Sequence, residues 1–215
     1  MSEVGLLAPG LKKRDESSDN SLALEIIKKS RTDMVKDLAV NLNHKDKNIQ
    51  GDCIKVLYEI GENGSPQLIS PYLNDIAALL NSGNNRLVWG AMIAIDSITS
   101  VNPEGVYGLL PLIIKTMENG TAITIDHGVG ILAKLSSYIE YRRRIFPLLL
   151  DQLSLCRFKQ LPMYVAKSMI AITRSNSEQF VLTLKSRLAE TSSELQKARL
   201  EKLIRVIQKK KLPDN

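Results

Sequence analysis

The sequence predicts an all-α, right-handed solenoid of about five helix pairs, and three observations predict it. Apolar residues recur in register every 35 to 38 residues, their spacing within each period is helical, and proline, glycine and asparagine fall between the periods. Aligning Leu57, Ile95, Leu132, Met169 and Ile204 gives successive spacings of 38, 37, 37 and 35, and Ile60, Ile98, Leu135, Ile172 and Ile207 keep them. Upstream, Leu38, Ile76, Ile113, Leu149 and Leu184 lie 38, 37, 36 and 35 apart, with Leu42, Leu80, Met117, Leu153 and Leu188 each four residues later. Steps of three and four place each set on one buried helical face and not on an alternating strand. Each repeat therefore reads as a helix A followed by a helix B.

Taken in chain order, residues 1–20 read as a flexible arm that turns highly charged at Lys12. The arm has no basic segment ahead of its few apolar residues, so it does not read as a secretory signal, and the expected compartment is the cytoplasm. Ser21 to Ser30 reads as an additional helix that caps the first repeat. Breaks follow at Gly61, Gly64 and Pro66, at Gly83, at Pro103, at Asn119 and Gly120, and at Asn176 and Ser177. Ser65-Pro66 and Asn102-Pro103 each match a helix start, a capping residue followed by proline in the first turn. One solenoid domain is expected over residues 21–211, with residues 212–215 as a frayed tail.

Helix A of the third repeat reads LLPLII from Leu109, and the fourth repeats it as IFPLLL from Ile145. Helix B of the second reads NNRLVWGAMIAIDSI from Asn84, with Cys53, Ala91 and Gly128 forming a column of small residues where helices approach closely. In these features the chain resembles the HEAT-repeat (armadillo-like) family and is similar to uncharacterised bacterial HEAT-like proteins. The resemblance implies that the B helices line a concave surface. Members of the family often carry an arginine near the start of helix B. Here Gly51, Trp89, Asp126 and Met163 fill one aligned column, so an inter-repeat ladder of that form is not expected.

Composition removes several classes. With 44% hydrophobic residues the chain can bury a core, yet its longest apolar run, Gly105 to Ile114, is too short to cross a bilayer and carries Pro111, so no membrane insertion is expected. Two distant cysteines, Cys53 and Cys156, give neither a disulfide framework nor a zinc site. The net charge of +6 is uneven: residues 1–138 carry 13 Lys/Arg against 16 Asp/Glu, whereas residues 139–215 carry 16 against 7. A basic C-terminal third attracts nucleic acid, acidic protein or anionic lipid alike.

No catalytic constellation emerges. Asp126 and His127 are helical neighbours and do not face one another, and His44 reads as a turn residue. No Glu-x-x-His or His-x-x-x-His pair exists, so neither a metal site nor a metal-dependent HEAT-like hydroxylase is expected; no cofactor is called for. Gly128-Val129-Gly130 lacks the third glycine and the preceding strand of a phosphate cradle.

What remains is a stripe on the B helices, opposite the buried columns. It runs through Asn48, Asp52, Lys55 and Glu59, then Arg86, Gly90, Ile93 and Ser97, then His127 and Lys134, then Gln160, Tyr164 and Lys167, and finally Arg199 and Lys202. Trp89, the one tryptophan, lies at its edge, close to Arg86. Candidate groove residues are thus Arg86, Trp89, His127, Lys134, Tyr164, Lys167 and Lys202. Arg142, Arg143 and Arg144 form a separate basic patch at a helix start, where positive charge is mildly unfavourable and an anionic partner would offset it. The reading that follows is a non-enzymatic adaptor gripping a protein partner in its groove. The alternative is nucleic-acid binding, with base repair of the kind some HEAT-like DNA glycosylases perform, in which Trp89, Asp126 and Tyr164 would act. A low aromatic fraction weighs against the alternative.

Overall fold

Helices follow one another with short turns between them in the computed structural model, which describes residues 16–214; no strand occurs among the described residues. The chain divides into two compact units, one ending at Gly128 and one beginning at Val129. In the first, α1 (Glu16–Lys29) precedes α2 (Thr32–Val40) and α3 (Lys47–Glu62) of repeat one. Repeat two comprises α4 (Pro66–Ile69), α5 (Leu73–Ala78) and α6 (Asn85–Ile98). Repeat three comprises α7 (Pro103–Gly108), α8 (Leu110–Glu118) and α9 (Ala122–Ser137), and the boundary between the units falls within α9. The second unit contains α10 (Ile139–Leu155), α11 (Leu161–Ser168), α12 (Ser177–Glu190) and α13 (Glu194–Lys209).

The apolar columns form the core. Every residue of the four columns is buried except Met169 and Leu188, which are half-buried. Within the first unit α3 makes its most extensive contacts with α6, and α1 packs on α3 through the fully buried Ala23 and Ile26. The helix begins at Glu16, so residues 16–20 belong to it and not to the expected arm, and residues 1–15 lie outside the described residues. The expected frayed tail is tethered as well. The Arg174 amide donates to the Pro213 carbonyl at 3.1 Å, and its guanidinium pairs with Asp214 at 2.9 Å.

Helix A is where the expected pairs give way to triplets. In repeats two and three the first layer is split, with Pro71 in the 3-10 turn between α4 and α5, and Pro111 in the first turn of α8 just after α7 ends at Gly108. Proline lacks the amide needed to continue a helix from the preceding turn. In repeat four the matching Pro147 sits inside an unbroken α10. Helix B of repeat four is shorter than expected. It ends at Ser168, after which the buried Asn176 side chain accepts from the Thr173 amide at 2.8 Å and donates to the Ala171 carbonyl at 2.9 Å, holding a compact turn.

The long B helices start on matched caps. Asp46 accepts from the Asn48 amide at α3 and Asn84 from the Arg86 amide at α6, two positions one repeat apart. Of the two proline starts, Asn102 caps α7 by accepting from the Gly105 amide, whereas Ser65 makes no side-chain cap. Gly64, with φ of 85°, supplies the left-handed residue that ends α3.

Cys53 is buried at 3% exposure in α3, and burial, with the Asp52 carboxylate beside it, pushes its thiol up to about 12. The unfolded thiol ionises at about 8.5, so the native chain keeps a proton that the unfolded chain has lost. Stability contributed by this group is therefore complete below about 8.5 and falls as the pH climbs toward 12. Maleimide labelling at pH 8 is expected to modify the half-buried Cys156 first and Cys53 only on unfolding. Equal native-state rates would show that α3 does not bury its thiol.

Candidate functional site

Successive B helices of the first unit are pinned to one another along their polar side. Arg86, in the first turn of α6, reaches back one repeat to Asp52 on α3 at 2.6 Å. His127, on α9, meets Asp96 on α6 with Nδ1 2.9 Å from the carboxylate oxygen. Exposed ion pairs of the first kind contribute only about 0–1 kcal/mol, so their value lies in fixing where charges sit. Two inter-repeat pairs thus occur in the first unit, and the arginine lies one turn before Trp89 of the aligned column Gly51, Trp89, Asp126 and Met163. Asp96 is buried and was not legible as a partner of His127, because sequence adjacency points to Asp126 instead.

Glycine lets these helices approach. A Cβ on Gly90 would lie 2.8 Å from Ile54 on α3, and one on Gly51 would lie 2.9 Å from the Arg86 guanidinium. Gly128 is likewise closed by Met117 of α8. Gly61 on α3 is closed by Ser97 of α6 as well, so glycine serves close approach at Gly51, Gly61, Gly90 and Gly128, of which only Gly128 belongs to the Cys53, Ala91 and Gly128 column. Gly90 is in consequence buried, and Ile93 and Ser97 are half-buried, so the α6 stripe is narrower than the helical wheel implies.

Trp89 is half-buried, and its indole Nε1 is shielded with no hydrogen-bond partner. Whatever part of the residue meets solvent is therefore not its N–H. The side chain offers apolar contact, and it follows Arg86 and precedes Ile93 on one side of α6.

In the second unit the candidates separate. Lys134 and Lys167 are half-buried and Lys202 is exposed. Tyr164 is not on a surface: at 1% exposure it is among the largest fully buried side chains. The reason is that α11 packs against both α10 and α13, so it buries two sides and not one. The basic patch also divides. Arg142 donates to the Ser136 carbonyl at 3.1 Å and the Ser137 carbonyl at 3.0 Å, capping the end of α9, where cationic groups are favoured. Arg143 and Arg144 are exposed on α10.

Arg187 was missed. At 7% exposure it donates to the Ser154 carbonyl and the Cys156 carbonyl, both at 2.7 Å, pairs with Glu190, and lies 4.4 Å from the centre of the Phe158 ring. It fastens the end of α10 to α12. The available signal was an arginine three residues after Leu184, on the apolar side of α12.

No family model matches the chain, and no curated protein matches it. Solved structures do. A designed armadillo repeat protein in complex with the peptide (KR)4 superposes with a TM-score of 0.66 at 14% identity, over 87% of this chain and 86% of that one. The fold is an all-α solenoid of the armadillo-like repeat class. A second designed armadillo repeat protein gives a TM-score of 0.65 at 13% identity, over 92% and 96% of the two chains. An engineered protein gives 0.64 at 16% identity, over 97% of each. Helices split at proline, which turn a helix pair into a triplet, fit this armadillo-like character. Among the described residues no helix is long and apolar enough to cross a membrane.

Proposed function

We propose that this chain is a non-enzymatic binding protein that holds an extended protein segment along its B-helix face. The observation that carries the proposal is the pinned polar face of the first unit. Asp52–Arg86 and Asp96–His127 fix charges on consecutive repeats at 2.6 and 2.9 Å, with Trp89 and Ile93 beside them as apolar contacts. Recognition of an extended chain needs such a repeated, preorganised array. The fold adds support, since one similar solved structure is a designed repeat protein holding a peptide.

Protein is favoured over nucleic acid by the same geometry. The base-repair reading needs open aromatic and acidic side chains, and Tyr164 is in the core. Arg142 spends its donors on backbone carbonyls. The His127–Asp96 pair has the geometry of an orienting dyad, yet neither residue lines the cleft of about 420 Å³ that opens between the start of α6 and the end of α8.

Trp89→Ala tests the reading. Tagged protein is used to capture partners from extract with and without nuclease. A discrete protein retained after nuclease and lost with Trp89→Ala, while the variant keeps a cooperative thermal transition, is the expected result. Partners that vanish on nuclease treatment would overturn it in favour of nucleic acid.

A further inference from the structure

In the second unit a cleft of about 230 Å³ opens between the α10–α11 turn and the start of α13. Its lining is largely apolar through Phe158, Leu161, Leu195 and Leu200, with Ser193 and Gln196 beside them, and it carries two cations, Lys159 and Arg199. Leu195 is 63% exposed, although an apolar side chain of this size is favoured by burial. Phe158 is held by Arg187, so this wall is fixed in place.

On α13, Glu194 is paired with Lys197 and Glu201 with Arg205; among the described residues no acidic side chain pairs with Arg199, Lys202 or Lys159. Leu195, Arg199, Lys202 and Val206 follow one another at steps of four, three and four residues, so they form one stripe leading away from the cleft, and all four are exposed. Two cations stand in its middle with an apolar side chain at each end.

We propose that this cleft and stripe bind an acidic protein segment in which a leucine or phenylalanine is flanked by Asp or Glu. The apolar side chain fills the cleft between Phe158 and Leu195, and the flanking carboxylates meet Lys159, Arg199 and Lys202. Charge complementarity selects the occupant: residues 139–215 carry 16 basic against 7 acidic side chains, a surface that attracts an acidic segment and repels a basic one. The inference rests on the reading of the chain as a protein-segment binder and gives that segment its chemistry.

The test is fluorescence anisotropy of the full chain with a labelled synthetic peptide of alternating Glu and Leu residues. Lys159→Glu combined with Arg199→Glu is expected to weaken binding by about tenfold or more, and Lys185→Glu, an exposed cation of a different cleft, to leave it nearly unchanged. A peptide of alternating Glu and Gly is expected to bind about tenfold more weakly than the Glu-Leu peptide. Charge-neutral Arg199→Gln, checked for helicity by circular dichroism, repeats the loss in milder form. Equal loss with Lys185→Glu, equal binding of the Gly peptide, or tighter binding of a single-stranded oligonucleotide or of phosphatidylserine vesicles would each overturn the proposal. If the acidic peptide fails while the captured partner still depends on Trp89, the cleft assignment falls and the B-helix reading stands.

Discussion

Tyr164→Ala is expected to destabilise the second unit by about 3–5 kcal/mol, read as a fall in the denaturant midpoint with little change in slope. The side chain is 1% exposed on α11, a helix held between α10 and α13, so truncation leaves a ring-sized void that two neighbours must close. Large aromatic truncations in cores sit at the upper end of measured costs because the surroundings relax only partly. Tyr164→Phe separates ring from hydroxyl and is expected to retain most of the stability. A Tyr164→Ala chain as stable as wild type would return the residue to the surface where the helical wheel places it.

The second large effect concerns Arg187. Arg187→Ala removes donors from the Ser154 and Cys156 carbonyls at the C-terminal end of α10 and an ion pair from Glu190, at a position 7% exposed, and a loss of about 3 kcal/mol is expected. Arg187→Lys is not expected to restore it, since an ammonium cannot serve two carbonyls and stack over Phe158 from one position. The change also loosens a wall of the α13 cleft, so affinity for the Glu-Leu peptide is expected to drop with stability. Arg187→Ala with an unchanged denaturant midpoint would mean that these bonds do not hold α10 to α12.

The two cases show what a repeat sequence makes legible. Columns such as Ile60, Ile98, Leu135, Ile172 and Ile207 are buried throughout, because a core face recurs with the repeat and its period can be counted. The split of helix A was harder to read. Pro71, Pro111 and Pro147 are all visible, yet Pro147 stays inside α10 while the others accompany breaks, so a proline by its presence does not locate the break. The site was legible in part. Asp52 and Arg86 both fall on the wheel's polar side, but their pairing joins residues 34 apart, and Asp96–His127 joins residues 31 apart; neither spacing is a helical step. Tyr164 was misplaced because a wheel assumes one buried side, and a B helix in a stack has neighbours on two.

The central claim is that the α6 face touches a protein segment. The direct measurement is photo-crosslinking in extract, with a benzophenone amino acid placed at Ile93 on that face or at Lys115, an exposed position on α8. A discrete protein adduct from position 93 and none from position 115, unaffected by nuclease, is the predicted result. Adducts to nucleic acid, or equal protein adducts from both positions, would contradict it.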